Sequence, residues 1–357
     1  MMYFVPNPIK PYAMKKLLSF LLLAACISSA KASDEADSAR IYLQKGLQAK
    51  NERRWQLALN NLQKAASFNP TDKEVLITLG DVAYDMKQYN ASINAFEKVL
   101  TIEAENSTAL EKLANLYFWF NNTEKATAYA TKMEALKIGG NRPNYIIGMC
   151  AYKDENYPIA INRLLNYLDT DSTNAEVIYN VGRAYVDLER YDKAIPYYEK
   201  AIRLDPKNFM RIYELGMVYY SRMDNKKAIE YFELAAANGF RQDADYFVNL
   251  GNVYLNTGDT KKGIELFKKA LEKRPYNQSI INDLAYAYYY NKDYQDAIDS
   301  WDQVLQIDKT NARALYMIGM AYQKKGEKGK GQALCDKAIE LDPSLAAQKQ
   351  QKGGLGM

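Results

Sequence analysis

The sequence predicts an all-α fold built as an array of nine consecutive helix pairs. A small residue recurs every 34 residues, with a single interval of 35 between Gly216 and Gly251. Within each 34-residue repeat, apolar residues fall at i, i+3, i+4 and i+7, the spacing of a buried helix face. Proline stands at one place near the end of several repeats, where a helix has to stop. A period of this length is typical of stacked helical or mixed supersecondary units.

The recurring small residue sets the register, and we number it position 8 of each repeat. It is Gly46, Gly80, Ala114, Gly148, Gly182, Gly216, Gly251, Ala285 and Gly319. Twelve residues later, position 20 is again Ala, Ser or Gly in every repeat. Nine repeats therefore run from about 39 to 345.

The fifth repeat shows the pattern of one helix pair most clearly. Its first helix carries Ile178, Val181, Gly182 and Tyr185 on one face, and its second carries Ala194, Tyr198 and Ala201. We expect the small residue at position 8 to face the small residue at position 20, so that the two backbones approach closely. Proline at Pro206 ends the second helix, because proline disfavours helix in the residue before it and lacks an N–H group.

Residues 175–208, AEVIYNVGRAYVDLERYDKAIPYYEKAIRLDPKN, resemble a tetratricopeptide repeat, and the other eight repeats follow the pattern more loosely. The resemblance covers about 307 of the 357 residues. It implies a right-handed superhelical solenoid of antiparallel helix pairs, whose first helices line a concave groove. The resemblance is specific for the fold and says little about a particular function.

Positions 2, 5, 6, 9, 12 and 13 of each first helix are left over once the buried positions are assigned, and we call them the first-helix face. The candidate peptide- or partner-binding residues on it are Trp119, Tyr145, Tyr152, Tyr179, Asn180, Arg183, Tyr213, Tyr220, Asn249, Asn252, Asn256, Asn282, Tyr286, Tyr289 and Tyr290. Asparagine amides both donate to and accept from an extended backbone, while Tyr and Trp give rigid contact area with a polar tip. Tyrosine and asparagine at these places are also what an average repeat of the family carries, so the pattern has a second, purely structural interpretation.

Within the family, a carboxylate clamp for chaperone C-termini uses lysine at position 5. No repeat here has lysine at that position, which runs from Leu43 through Tyr179 to Tyr316. The sequence therefore argues against that class of partner.

Residues 1–32 read as an export signal, with Met14 as the expected start. Lys15 and Lys16 precede an apolar run from 17 to 27, which is too short to span a bilayer. Two processing sites compete. Ala30-Lys31-Ala32 is an A-x-A site that would leave Ser33 first, whereas 23–26 resembles a lipobox in which Cys26 would be lipidated. Both place the mature chain beyond the bacterial cytoplasmic membrane, as a periplasmic or lipid-anchored envelope protein.

Two short segments complete the predicted organisation. Residues 33–38 are expected to form a linker before the first repeat. Residues 346–357 are expected to form a C-terminal cap and tail, with a short helix from about Ser344 to Lys352 covering the last repeat, since a solenoid needs a polar end.

The amino-acid composition argues against several classes of function. The chain has no histidine, which excludes Ser-His-Asp and Cys-His nucleophile pairs and His-ligated zinc. Four lysines precede the first acid, Asp34, and without them 43 basic residues stand against 43 acidic ones. A neutral body lacks the basic surface that nucleic acid binding requires. No phosphate loop or CxxC motif occurs, so we expect no enzyme, metal or cofactor, and we expect Cys150 and Cys335 to be buried small apolar residues.

The leading hypothesis is a non-catalytic exported scaffold that binds an extended peptide or a partner protein in the groove. The alternative is a structural subunit of a cell-envelope assembly, secretion or export machine, acting through its convex face or its ends. The sequence leaves the partner and the oligomeric state open.

Overall fold

The computed structural model describes residues 35–346, and every regular element in this range is a helix. The chain divides into two compact halves, an N-terminal half that ends at Asp171 and a C-terminal half that begins at Ser172. Each half is a series of helix pairs, so the prediction of an all-α array of helix pairs is confirmed.

The N-terminal half holds the helices of the first four repeats. In chain order they are α1 (35–51), α2 (Trp55–Phe68), α3 (Lys73–Asp85), α4 (Tyr89–Ile102), α5 (Ser107–Trp119), α6 (Thr123–Ala135), α7 (Arg142–Lys153) and α8 (Tyr157–Leu168).

The C-terminal half holds the helices of the last five repeats. They are α9 (Ala175–Asp187), α10 (Tyr191–Leu204), α11 (Phe209–Ser221), α12 (Asn225–Ala237), α13 (Ala244–Asn256), α14 (Thr260–Lys273), α15 (Gln278–Tyr290), α16 (Tyr294–Ile307), α17 (Ala312–Lys325) and α18 (Lys328–Leu341). A short 3₁₀ helix, Pro343–Leu345, follows α18, and Leu345 is buried against the last core cluster.

Most first helices begin at a capping side chain at the end of the preceding repeat. The Asn174 side-chain oxygen accepts a hydrogen bond from the Val177 N–H at 3.1 Å, and that of Asn311 accepts one from the Ala314 N–H at 2.9 Å. Asp72, Asn106, Asn208, Asp243 and Asn277 cap in the same way. Such caps satisfy N–H groups that have no partner inside the helix.

The two helices of a pair approach closely at positions 8 and 20, as expected, and a large side chain at position 24 covers position 8 as well. A Cβ built on Gly182 would lie 2.9 Å from the Tyr198 ring, which is at position 24, and one built on Gly216 would lie 2.9 Å from Phe232, also at position 24. Position 20 lies against the backbone of position 8, since a Cβ on Gly263 would be 3.3 Å from the Gly251 carbonyl oxygen, and one on Gly319 would be 2.7 Å from the Gly331 carbonyl oxygen. Position 8 is small because a large side chain covers it, and position 20 is small because the first helix's backbone covers it.

Neighbouring repeats are joined by tyrosine at position 11. In the N-terminal half, Tyr117 donates to Glu97 of the preceding repeat at 2.7 Å, and Lys125 donates to the Tyr117 hydroxyl at 2.8 Å. In the C-terminal half, Tyr219 makes the matching bond to Glu199 at 3.0 Å. Burial first, and then the Glu199 carboxylate, raises the pKa of Tyr219, so this hydroxyl stays a donor at neutral pH.

Cys150 and Cys335 are free thiols, 1% and 2% exposed, as expected for small core residues. Burial raises the pKa of Cys150, which keeps the thiol protonated. None of the helices among the described residues is both long and apolar enough to cross a membrane.

Some sequence predictions fall at the ends of the described range. The export signal, Met14 and Cys26 lie outside it, as does most of the predicted C-terminal cap. Residues 35–38 were expected to be linker but are helical and continuous with α1. The reason is local: Ala39 and Leu43, 2% and 6% exposed, place these residues in register with a buried helix face.

Candidate binding face

The first-helix face of the N-terminal half contains an open cleft of about 590 Å³. Its lining comes from three successive first helices, α3, α5 and α7. The lining residues are Tyr84, Ser107, Thr108, Glu111, Lys112, Asn115, Leu116, Phe118, Trp119 and Arg142. The cleft therefore extends across the first helices of the second, third and fourth repeats.

Exposed aromatic side chains form one wall of this cleft. Trp119 is 59% exposed, although burial of its large ring would be strongly favourable. Its ring meets that of Tyr89 edge-on at 4.6 Å and that of Phe120 at 5.1 Å, and Tyr84 contacts Tyr89 at 5.7 Å. Phe120 and Tyr84 are themselves 48% and 42% exposed. This group, the Trp119 cluster, is an apolar surface that the described residues, 35–346, leave largely exposed.

Charged and amide side chains, among them Lys112, Asn115 and Arg142, also line the cleft. Asp81 lies between two ammonium groups, 2.8 Å from that of Lys112 and 3.4 Å from that of Lys50. Arg142 donates through Nε and Nη2 to the Asn115 side-chain oxygen at 3.0 and 2.7 Å, and its guanidinium lies 4.6 Å from the centre of the Tyr145 ring. The cleft thus joins an aromatic surface to fixed hydrogen-bond donors.

Two further predicted residues of this half, Tyr145 and Tyr152, are half-buried by aromatic neighbours. Tyr145 contacts Phe118 at 5.6 Å and Tyr167 at 5.4 Å, and Tyr152 contacts Tyr157 at 5.7 Å. Tyr145 therefore lies beside the cleft, next to Arg142. Tyr152 does not line it.

In the C-terminal half, the face of the fifth and sixth repeats is largely occupied by its own hydrogen bonds. Tyr179 donates to Glu214 at 2.6 Å, and Tyr198 donates to the same carboxylate at 3.2 Å. Burial, followed by the bond to Glu214, raises the pKa of Tyr179, so the hydroxyl keeps its proton. Arg183 is exposed beside Tyr179. Tyr220 is half-buried, packed against the core.

Asn180 is not part of the accessible face, which corrects its assignment as a binding residue. It is 4% exposed, and its amide donates to Glu176 at 3.5 Å. Its partner Glu176 also pairs with the buried Arg211 at 2.6 Å, and Arg211 pairs with Asp205 at 3.1 Å, so Asn180 belongs to a polar network within the fold.

The four asparagines of the seventh and eighth repeats divide into two kinds. The Asn249 amide donates to the Tyr213 hydroxyl at 2.6 Å, and Asn282 accepts from the Trp301 indole at 3.1 Å, so both help to hold the fold. Asn252 and Asn256 make no side-chain hydrogen bond to any described residue. Of the four asparagines, only these two have all their side-chain hydrogen-bond donors and acceptors available for a ligand.

The predicted tyrosines of the eighth repeat form a cluster around the buried Trp301. Tyr286 and Tyr289 contact its ring at 5.3 and 6.0 Å. Tyr286 also accepts a hydrogen bond from Arg313 at 3.1 Å, so it has a structural task. Tyr290 is 51% exposed and contacts both other rings. It is the most accessible aromatic of this group.

Sequence reasoning did not single out Arg142, Tyr89 or Phe120. Arg142 is at position 2 of its repeat, which belongs to the first-helix face, so its position alone could have identified it. Tyr89 and Phe120 lie outside the six chosen positions, at the start of a second helix and in a turn. Their contact with Trp119 depends on how the turns pack, which periodicity does not show.

Family models for tetratricopeptide repeats match five segments of the chain. Three models described as "Tetratricopeptide repeat" match 175–208, 244–277, and both 74–106 and 312–345. A further model described as "TPR repeat" matches 285–326.

The curated relatives are distant. The chain is 25% identical over 153 residues to "Tetratricopeptide repeat protein 8" of Caenorhabditis elegans, covering 42% of this chain and 30% of that protein. It is 27% identical over 199 residues to "DnaJ protein P58IPK homolog" of Arabidopsis thaliana, covering 52% of this chain and 41% of that protein. The chain thus spans well under half the length of these relatives.

Among solved structures, the C-terminal part of a tetratricopeptide repeat-containing protein from Cytophaga hutchinsonii superimposes with a TM-score of 0.55 at 21% identity. The match covers 64% of this chain and 94% of that one, and it bears on the fold alone. The 34-residue register, the paired helices and the matching family models agree, and the chain belongs to the tetratricopeptide repeat family.

Proposed function

We propose that this chain is a non-catalytic, exported scaffold that binds an extended peptide or a segment of a partner protein on its first-helix face. Tetratricopeptide repeat proteins are scaffolds for protein interaction, which supports the general statement. Export rests on the sequence features of residues 1–32, and the binding face rests on the geometry described above.

The observation that carries the binding proposal is the exposed Trp119 cluster in the cleft. Exposed aromatic groups beside fixed polar donors are the usual composition of binding hot spots, because a bound partner removes the rings from water while its polar groups stay paired. The Arg142 guanidinium, held by Asn115, supplies such a donor without needing to reorganise. A peptide backbone with one large apolar side chain fits this combination.

The alternative function also has an observation in its favour. Position 30, near the end of each second helix, exposes an apolar side chain in several repeats. In the N-terminal half these are Phe68, Ile102 and Leu136, which are 38%, 40% and 36% exposed. A row of this kind along one edge is suited to a permanent contact in a larger assembly.

One experiment separates the two. A photoreactive p-benzoyl-phenylalanine is placed at Thr108, in the cleft, or at Thr101, beside the edge residue Ile102; both threonines are exposed and helical. If the proposal holds, irradiated cells give a crosslinked partner from position 108, and Trp119→Ala removes it. Crosslinks from position 101 alone, insensitive to Trp119→Ala, would instead identify the edge as the working surface.

A further inference from the structure

In the C-terminal half, position 5 of one repeat pairs with position 6 of the next. Tyr179 at position 5 donates to Glu214 at position 6 at 2.6 Å. One repeat later, the Tyr213 hydroxyl at position 5 meets the Asn249 amide at position 6, also at 2.6 Å. The tyrosine at position 5 thus satisfies a polar side chain that would otherwise be partly buried without a partner.

A second hydroxyl can reach the same place from position 24. Tyr198 at position 24 gives Glu214 its second hydrogen bond, at 3.2 Å. In the sixth repeat, position 24 is Phe232, and Asn249 therefore makes only the one bond, in which its amide donates to the Tyr213 hydroxyl. The number of hydroxyl groups offered to position 6 falls from two to one between successive repeats.

Between the seventh and eighth repeats, both hydroxyl groups are missing. Position 5 of the seventh repeat is Val248, and position 24 is Phe267, which is fully buried. Both belong to an apolar cluster that also contains Leu284, the neighbour of Asp283 in the chain. Position 6 of the eighth repeat is Asp283 itself, so this carboxylate has neither of the two hydroxyl groups that positions 5 and 24 offer in the preceding repeats.

Asp283 is half-buried, and no described residue donates a hydrogen bond to it or forms an ion pair with it. Burial alone raises the pKa of Asp283 to about 6, since no charged neighbour opposes or adds to the effect. A carboxylate in such a place is strongly disposed to accept a positively charged donor, which restores the hydrogen bonds lost to burial.

The polar side chains that share the first-helix face of the seventh and eighth repeats with Asp283 indicate which cation fits. Asn252 and Asn256 on α13 have free amides, and Asn282 next to Asp283 keeps its amide N–H groups free because only its oxygen is used, by Trp301. A divalent metal ion needs several oxygen ligands, and among residues 35–346 no group of three or more acidic or cysteine side chains is placed to supply them. One carboxylate on a face that also carries amides matches one ammonium or guanidinium group on a peptide backbone.

We propose that Asp283 binds a single cationic nitrogen of a peptide lying on the first-helix face of the seventh and eighth repeats. This inference rests on the proposed function and adds the chemistry of one ligand side chain to it. The cation is the side chain of Lys or Arg or a free α-amino group; both sources present N–H donors with one positive charge.

The test uses the full mature chain and a phage-displayed library of random dodecapeptides as the probe. We expect the selected peptides to be enriched in Lys or Arg at one position, and Asp283→Asn to weaken their binding at least tenfold. Asp283→Glu should retain most of the affinity. Glu230→Gln, which removes an exposed carboxylate on α12, away from this face, is the matched control and should change nothing.

Synthetic versions of a selected peptide distinguish the sources of charge. If a side chain is bound, replacing that lysine by acetyl-lysine weakens binding as much as Asp283→Asn does, and the two changes together cost no more than either alone. If the α-amino group is bound, N-terminal acetylation has this effect instead. The inference is overturned if the selected peptides require neither a cationic side chain nor a free α-amino group and bind the Asp283→Asn chain as tightly as the wild-type chain.

The proposed function is tested separately with Asn252→Ala and Asn256→Ala, which remove amides that have no role in the fold. If this pair of substitutions weakens peptide binding and Asp283→Asn does not, the proposed binding face is retained. Only the proposal that Asp283 binds a cation is then rejected. Binders indifferent to this pair, to Trp119→Ala and to Asp283→Asn, or a library that yields no binder, reject both.

Discussion

We expect the Asp283 carboxylate to destabilise the folded chain at neutral pH, because its ionised form is partly removed from water and no described residue donates a hydrogen bond to it. Its pKa is about 6 when folded, against about 4 in an unfolded chain. Below pH 4 the group is protonated in both states and costs nothing. As pH rises from 4 to 6, the folded state holds the proton longer, so stability falls through this window and the full cost remains above it.

We therefore predict that Asp283→Asn raises the free energy of unfolding at pH 7.5 and has little effect at pH 4. The pKa difference corresponds at most to roughly 3 kcal/mol, and because the carboxylate is only half-buried we expect about 1 kcal/mol. Urea unfolding at the two pH values measures it. Glu230→Gln should stay within about 0.5 kcal/mol at both. A stabilisation of equal size at pH 4 would show that charge is not the cause.

Position 8 gives a second prediction at the scale of single residues. Gly182→Ala should destabilise the chain by about 1–3 kcal/mol, because the added Cβ meets the Tyr198 ring at 2.9 Å and that ring is fixed by its bond to Glu214. Alanine normally stabilises a helix more than glycine does. A loss of stability in Gly182→Ala would therefore show that the contact with Tyr198 outweighs helix propensity.

Gly329→Ala in α18 is the control for Gly182→Ala, since a Cβ there would have no atom within 4 Å. This change should be neutral or stabilising, by up to about 1 kcal/mol. Thermal melts of the two variants should therefore move in opposite directions. If both variants melted at a higher temperature, helix propensity alone would decide and the contact with position 24 would be too loose to matter.

At the scale of elements, the turn between the two helices of a repeat has one feature in all nine repeats. Its residue at position 15 is in the left-handed conformation, with φ between +56° and +100°. Only Gly258 and Gly326 are glycine there; the others are Arg53, Lys87, Asn121, Glu155, Glu189, Met223 and Lys292. A residue with a side chain is strained in this conformation by about 1 kcal/mol or more.

We predict that Met223→Gly stabilises the chain, because Met223 has a φ of +66° and a side chain that is 74% exposed, so little packing is lost. After the entropy of glycine in the unfolded chain is subtracted, about 0.5–1 kcal/mol remains, or about 1–4 °C in melting temperature. Gly258→Ala, with a φ of +85°, should lower the melting temperature by a similar amount. Two shifts of the same sign would contradict the argument.

The helix pairs and their register could be predicted from sequence, because the position of each small residue repeats every 34 residues. The contact between positions 8 and 24 could not. Periodicity shows which face of a helix is buried, but the axial offset of two antiparallel helices depends on how side chains such as Tyr198 and Phe232 fit together. The left-handed turn could not be predicted either, since seven of the nine residues at position 15 are not glycine, and of their five types only Asn favours this conformation.

At the scale of the whole molecule, the sequence predicts which positions form the candidate binding face, but it does not predict the contacts that their side chains make. The cleft in the N-terminal half is lined almost entirely by side chains at the six positions of the first-helix face. The sequence does not show which of these side chains are hydrogen-bonded within the fold and which remain available to a ligand. Asn249 and Asn282 differ from Asn252 only in whether Tyr213 and Trp301 happen to reach them, and Asp283 is distinctive only because Val248 and Phe267 offer no hydroxyl group.

The charge of the whole chain provides the last prediction, which concerns export. Lys10, Lys15, Lys16 and Lys31 all precede the first acid, so the two processing sites leave mature chains of different charge. Cleavage that leaves Ser33 first removes all four lysines and gives 43 basic against 43 acidic residues. Processing at Cys26 retains Lys31 and adds a lipid.

We expect the native protein to lack the apolar run from 17 to 25, because an apolar segment after a lysine pair is what the export machinery recognises and removes. Intact mass of the protein from the envelope fraction measures this, and Cys26→Ser distinguishes the two routes: it abolishes acylation if the lipobox is used and leaves a Ser33 start unchanged if it is not. Leu22→Arg, which places a charge in the apolar run, should hold the chain in the cytoplasm at full length. A wild-type chain found there unprocessed, with the same mass as the Leu22→Arg chain apart from the substitution, would remove export from the proposal and leave the binding face to be explained in another compartment.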